Sequence, residues 1–310
     1  MTRRTAVYRL GISKVSRIKL MNSVIRQYYS MTKPGVLYGN VITGVAGFLL
    51  AAGHFKHFDV WLFLATIGGM TLVIAAACVL NNVLDQDIDR IMDRTKMRAV
   101  AHGDISSRKA TLLSTVLGAL GFAVLIAWTN LIVVTVGALG FVVYVWLYGA
   151  LSKRKSIHGT LVGSISGAMP ILAGYVAVAG KFDTAALLVF LMLFFWQFPE
   201  FYSIAIYRRK EYEAARIPVM SVIKGVHSTS VQIFVYTVLF VVSALLLTPL
   251  GYTGWIYFGV MTLLGAYWIW LGAKGLRSGD SDAWARQMFH FSLIVLLALS
   301  VALAFGPILP

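Results

Sequence analysis

Residues 60–98 read VWLFLATIGGMTLVIAAACVLNNVLDQDIDRIMDRTKMR, and the change of character at Asp85 decides the fold class. From Val60 to Leu84 no residue is charged, and a helix needs roughly 20 apolar residues to cross the hydrocarbon core of a bilayer. Beyond Leu84 the chain carries four aspartates and four basic residues within fourteen positions. A run of spanning length that ends abruptly in a charged cluster is a membrane helix reaching water.

The same signal recurs along the chain. Of 310 residues, 59% are hydrophobic and 13% charged, with mean hydropathy +0.79. A soluble domain is near half apolar and about a quarter charged, so a large soluble core is excluded. Apolar runs at 35–52, 60–84, 110–128, 131–149, 159–180, 184–207, 229–248, 252–273 and 287–308 predict nine transmembrane helices in an all-α membrane protein. The break at Thr129 and Asn130 is short, but 111–149 as one helix would be far too long for a single crossing.

A net charge of +15 would suggest nucleic acid in a soluble protein. Here its distribution argues for a membrane and against nucleic acid. Of 27 Lys and Arg, 25 fall in the N-terminal segment and the loops 85–109, 150–158, 208–227 and 274–286. Only Lys56 and Lys181 lie in the loops between. Basic residues concentrate on the cytoplasmic side of membrane proteins, so the N-terminus is expected inside and the C-terminus outside. The chain is thus divided into a basic cytosolic segment, 1–34, and a single intramembrane domain, 35–310. Residues 1–58 hold no acid, which fits a tail drawn to anionic lipid or a mitochondrial transit peptide. Cys78 is the only cysteine. That excludes an intrachain disulfide and a paired-cysteine metal site.

Ten of the twelve acids share the basic side, and orientation does not require them. Asn81, Asp85 and Asp89 recur every four residues and so share one helical face, with Asp93 at its edge. Asp87 points the opposite way, where Arg90 or Arg94 could pair with it. Carboxylates stacked four apart repel, and a divalent cation would relieve the repulsion. Mg²⁺ suits the stack, since it takes one or two carboxylates and completes its shell with water and phosphate oxygens. The plainer reading is a solvated acidic helix end. Arg94, Lys96 and Arg98 follow at once, with Lys153, Arg154 and Lys155 in the next inside loop. A metal with Arg or Lys around one anion stabilises a departing diphosphate, and Arg94 and Arg98 stand nearest the metal face.

A second polar cluster interrupts the sixth span, at Phe195-Trp196-Gln197-Phe198-Pro199-Glu200-Phe201-Tyr202. An ionisable residue at such depth is a functional candidate by default, and Pro199 predicts a kink. Glu200, Ser203 and Tyr207 share a face, and Arg208-Arg209-Lys210-Glu211-Tyr212 continues into the loop. Spans two and six hold equivalent places in two four-helix halves. That suggests a pseudo-repeat around a central cavity, with the site between the halves. Gly159, Gly163 and Gly167, four apart in the fifth span, predict close helix packing. No two of the six histidines have the spacing of a metal or haem pair.

The pattern Asn81-x₃-Asp85-x₃-Asp89 resembles the first motif of the UbiA-type intramembrane prenyltransferases. Within that superfamily the chain is similar to the haem-farnesylating branch, from Met31 over nearly its whole length. The likeness rests on Thr32-Lys33-Pro34-Gly35, Asn81 through Arg98, Gly159 through Tyr175, Phe195-Trp196-Gln197-Phe198-Pro199, and Ile217-Pro218 with Val222 and Lys224-Gly225. It also rests on Tyr207-Arg208-Arg209-Lys210-Glu211-Tyr212, where relatives acting on other aromatic acceptors carry a second aspartate-rich motif. The resemblance departs at Glu200, where that branch has His, and at Ala99-Val100, where it has Pro-Leu.

The resemblance implies transfer of farnesyl from farnesyl diphosphate to a vinyl group of haem B, with water added to give haem O. Its cofactor would be Mg²⁺, on Asp85, Asp89, Asn81 and Asp93, with Arg94 and Arg98 drawing off diphosphate. Lys153, Arg154, Trp196, Gln197, Glu200, Tyr202, Tyr207, Arg208, Lys210 and Tyr212 are the substrate-binding candidates. Haem is here a substrate. The implied partners beyond membrane lipid are haem A synthase or a terminal oxidase. The implied location is the bacterial inner membrane with a cytoplasmic active face, or else the mitochondrial inner membrane. Two other functions remain open on the residues alone: a prenyltransferase for a quinone precursor or chlorophyllide, and a non-enzymatic cation carrier.

Overall fold

The computed structural model describes residues 24–277 and 279–310. The basic N-terminal segment, 1–34, lies outside the described residues except for 24–34, of which 24–31 form a helical stretch and Pro34 opens the next helix. The described residues contain helices and no strand, and nine helices are long and apolar enough to cross a membrane. They are α1 Pro34–Phe55, α2 Val60–Leu84, α3 Ser107–Trp128, α4 Leu131–Lys155, α5 Gly159–Ala179, α6 Thr184–Tyr207, α7 Gly225–Leu245, α8 Trp255–Gly275 and α9 Ser281–Phe305.

Local chemistry sets their ends. Asp59 caps α2 by accepting from the backbone N–H of Trp61 and Leu62, at 2.8 and 3.0 Å. Asn130 caps α4 through Val133 N–H at 3.0 Å, which separates α3 from α4 at the short break expected there. Asp183 and Asp280 do the same for α6 and α9. Such caps satisfy N–H groups that have no partner within the helix. Two boundaries differ most from the hydropathy reading. α4 runs through Lys153–Lys155, and α9 begins at Ser281 rather than 287, because charged residues end an apolar window without ending a helix.

Consecutive helices pack on one another, and α9 returns to α1. α1 crosses α5 at very close range. A Cβ on Gly174 would lie 2.0 Å from the Gly44 carbonyl oxygen, and one on Gly47 would lie 2.1 Å from that of Ile171. The expected glycine stripe of α5 also packs. Gly159 meets the Lys153 backbone, Gly163 the Tyr148 ring, and Gly167 the Gln197 amide.

Connections alternate between the two ends of the bundle. At one end Ile88 and Met92, just past α2, pack with Ile217, Tyr212 and Val219 beyond α6. At the other, Asn130 donates to Val176 O, Gly254 N–H to Gly306 O, and Ile256 N–H to Pro310 O. The charged loops after α2, α4 and α6 therefore meet at one end.

Candidate functional site

At the charged end the helical path of α2 does not run straight on. Asp85 adopts φ −90°, ψ 4°, and a separate turn follows over Gln86–Ile91. Two backbone hydrogen bonds bridge the break: Asp85 N–H to Asn81 O at 2.9 Å and Asp89 N–H to Asp85 O at 2.8 Å. The four-residue register survives, so Asn81, Asp85 and Asp89 turn inward together, at 2%, 0% and 2% exposure. Asp87 turns outward, its side chain 68% exposed.

Three basic side chains reach these groups from elsewhere in the chain. Lys153 Nζ lies 2.5 Å from Asp85 Oδ2, and Arg98 donates to both Asp89 oxygens, at 2.8 and 3.0 Å. Lys33 Nζ donates to Asn81 Oδ1. Burial, with the neighbouring Arg98 charge as the next cause, pulls the Lys33 amine down to about 8. Three cations thus face two carboxylates, and the site carries an excess positive charge that suits an anion. Asp87 forms a forked pair with Arg154, at 2.7 and 2.8 Å, which holds its carboxyl down at about 2. The expected partner was Arg90 or Arg94. Instead Arg90 is spent on the Ala101 carbonyl at 2.9 Å, and Arg94 is exposed.

The position of Lys153 depends on α4, which changes from α to π geometry over Val143–Ser152. Lys153 N–H accordingly bonds the Tyr148 carbonyl, five residues back. A π turn brings residues five apart onto one side, where an α-helix would swing them well apart. Tyr148 sits near the Asp85 charge, and Tyr144 lies against Cys78. Beyond α6, Tyr212 lies among Tyr148, Arg94, Lys153 and Arg208, and burial pushes its phenol up.

Among the described residues no three His, Cys, Asp or Glu side chains converge as a metal site. What converges is two carboxylates and an amide. Asp85 Oδ1 and Asn81 Nδ2 are buried there without a hydrogen-bond partner. A buried, unpaired carboxylate oxygen is costly unless something binds it. With one or two carboxylate ligands sufficient for Mg²⁺, the donor set fits that ion. Asp93 is not part of it. Its side chain is 83% exposed and paired with Lys96 at 2.6 Å, because Met92 turns extended after the short helix.

The α6 candidates divide. Trp196 Nε1 donates to Ser292 O on α9 at 2.9 Å, and Gln197 Nε2 donates to Ser164 O on α5 at 3.0 Å and to Leu193 O. Tyr202 is buried against Phe198, ring centroids 5.6 Å apart. Of the substrate-binding candidates, Trp196 and Gln197 have their donors on carbonyls of α6 and its neighbours, and Tyr202 packs inside the bundle. Glu200 is half-buried and, among the described residues, has neither hydrogen bond nor ion pair. Arg208 pairs with Glu211 at 2.7 Å, and Lys210 is exposed.

Residues 40–294 match the model of the UbiA prenyltransferase family. The chain belongs to that family. A curated relative from Yersinia pseudotuberculosis, named protoheme IX farnesyltransferase, is 43% identical over 281 residues, covering 91% of this chain and 95% of that one. Another of that name, from Photorhabdus laumondii, is 42% identical over 287 residues, covering 93% and 97%. Among solved structures, one described for digeranylgeranylglyceryl phosphate synthase superposes with TM-score 0.77 at 19% identity, covering 92% of this chain and 98% of that one. A UbiA homologue from Archaeoglobus fulgidus, bound to GPP and Mg²⁺, gives TM-score 0.60 at 14% identity, covering 90% and 99%. The solved UbiA structures establish a shared fold with this chain.

Sequence reading passed over Lys33, Tyr144 and Tyr148. Lys33 stood within a stretch matched to the family, but nothing local marked it as reaching a residue 48 positions away. The two tyrosines looked like ordinary aromatics of an apolar run, since only the π turn directs them inward.

Proposed function

We propose that this chain transfers the farnesyl group of farnesyl diphosphate to a vinyl group of haem B, giving haem O and diphosphate. The observation that carries the prenyl-transfer half is the buried Asn81–Asp85–Asp89 set ringed by Lys33, Arg98 and Lys153. The acceptor follows from the curated relatives of that name, which match over nine-tenths of the chain.

Lys33, Arg98 and Lys153 bind the diphosphate, exchanging their present carboxylate and amide partners for phosphate oxygens. Arg94, exposed at the mouth near Tyr148 and Tyr212, adds a further charge there. Asp85, Asp89 and Asn81 hold Mg²⁺, which when bound supplies positive charge to the leaving diphosphate. The bond between farnesyl C1 and the diphosphate oxygen breaks, and the electron pair leaves with diphosphate. The vinyl group then adds to the allylic cation, and the new cation beside the porphyrin takes up water and loses a proton. Apolar helices keep other water from the allylic cation.

The charged end faces the cytoplasm in this reading, with the N-terminus inside and the C-terminus outside. The chain acts as one intramembrane domain over 35–310, its two four-helix halves related by a pseudo-repeat, in a bacterial inner membrane. Haem A synthase or a terminal oxidase would take up the product.

Membranes containing the chain, given farnesyl diphosphate, haem B and Mg²⁺, are expected to release diphosphate and form haem O, read by chromatography and mass spectrometry. Chelation should stop both. Diphosphate release with a quinone precursor and not with haem would replace the acceptor. Coupled ion transport with no diphosphate release would replace the enzyme by a carrier.

A further inference from the structure

A second cationic site stands at the same end of the bundle, where α6 meets α9. Tyr207 closes α6, and two guanidinium groups lie on its ring: Arg286, in the first turns of α9, at 5.0 Å from the centroid, and Arg208 at 5.6 Å. Phe289, one turn beyond Arg286, packs edge-on to Tyr207 at 6.2 Å. Two like charges on one ring repel, and cation–π contact offsets only part of that. Arg208 is partly neutralised by Glu211. Arg286 is exposed and, among the described residues, makes no ion pair or hydrogen bond, although Asp282 lies one turn away. Among the described residues its donors have no protein partner.

Tyr212 relates this pair to the diphosphate site. The charges that act on its phenol include Arg94, Lys153 and Arg208. Cations of both centres therefore lie near one half-buried tyrosine. One lies at the Asp85 and Asp89 carboxylates beyond α2, with Lys153 of α4, and the other lies between α6 and α9. A donor diphosphate accounts for the first and leaves the second without a ligand.

We propose that Arg286 and Arg208, held on Tyr207, bind the propionate carboxylates of the porphyrin acceptor and so place its vinyl edge toward the farnesyl group. This rests on the acceptor reading above. The fork of a guanidinium matches a carboxylate in two parallel hydrogen bonds. The porphyrin plane is apolar and belongs between helices, while its two acids belong at the aqueous end, where this pair stands. An anchor at the acids also favours dicarboxylate porphyrins over neutral acceptors, because an uncharged acceptor forgoes the charge-assisted bonds to the guanidinium groups.

The test is an absorbance titration of haem B, and of haem B dimethyl ester, into the full chain in zwitterionic nanodiscs, with thermal unfolding as a check on folding. Esterification should weaken wild-type binding by about tenfold or more, the effect of losing charge-assisted bonds. Arg286→Ala should weaken binding of the diacid by a similar factor and show little further loss with the ester. Arg286→Lys should fall between, and KM for farnesyl diphosphate should stay within about twofold of wild type.

Wild type that binds diacid and ester alike overturns the anchor and leaves the acceptor reading intact. Arg286→Ala that weakens the ester as much as the diacid shows a packing role and overturns it too. If haem affinity falls when phosphatidylglycerol is added to the nanodiscs, the pair binds lipid phosphate instead, and the proposal fails. Wild type that binds no haem removes the acceptor reading and this inference with it.

Discussion

Replacing Asp85 by Asn removes one negative charge from a fully buried position. Lys153, its side chain 19% exposed, then loses the carboxylate 2.5 Å away. Stripping one partner from a buried ion pair costs about 3–5 kcal/mol. The lower end applies here, since Asn keeps a carbonyl that can accept from Lys153. At about 3 kcal/mol, detergent-solubilised protein should melt about 5–10 °C lower. Activity should fall further, by about 100-fold or more, because a charge that stabilises the departing diphosphate is lost with its metal ligand. Asp89→Asn should behave alike, its partner being Arg98. Asp87→Asn is the control. Its forked pair with Arg154 is exposed, and exposed pairs contribute about 0–1 kcal/mol, so haem O formation should stay within about threefold of wild type. Haem O is read in membrane pigment extracts normalised to protein level, and melting by fluorescence-detected size exclusion. If Asp87→Asn proved as damaging as Asp85→Asn, the inward and outward division of these carboxylates would be wrong.

Three further outcomes follow from the packing. Gly174→Ala places a methyl 2.0 Å from the Gly44 carbonyl oxygen and should destabilise by about 1–3 kcal/mol; Gly68→Ala, with nothing within 4 Å, should melt like wild type, and equal melting of both would contradict the α1–α5 contact. Trp196→Phe removes the donor to Ser292 O and shrinks a buried indole to a phenyl ring, so about 2–3 kcal/mol of stability should go while both substrate KM values hold; a large rise in KM for haem would return Trp196 to the binding site. Glu200→His should retain haem O formation and Glu200→Leu should lose most of it, since a half-buried carboxylate without a partner is costly unless used; full activity in the leucine variant would remove Glu200 from the site.

The spans were legible because hydrocarbon imposes one crude requirement, an apolar run of sufficient length, and every predicted span overlaps an observed one. The inward grouping of Asn81, Asp85 and Asp89 was legible too, since their four-residue register is local. The break at Asp85 was not, but it preserves that register and so does no harm to the reading. Partner choice was illegible wherever it depends on three dimensions. Asp87 finds Arg154, 67 residues away, and not the nearby Arg90. Trp196 and Gln197 looked chemical because polar groups are rare in a span, yet their hydrogens go to carbonyls of neighbouring helices. Asp93 stood at the edge of an idealised face, and a single extended residue at Met92 took it out to water.

The π turn of α4 has a consequence for how insertions and deletions would be felt. A stretch with five residues per hydrogen-bonded ring behaves as an α-helix that has absorbed one extra residue. A further residue inserted after Ser152 would find no turn left to absorb it and would rotate whatever follows by about 100°. Lys153 would then leave Asp85, while the span would stay long and apolar enough to enter the bilayer in the same orientation. Such a protein would be inserted and retained, yet would lack its aligned lysine, so that biogenesis and chemistry part company at a single codon.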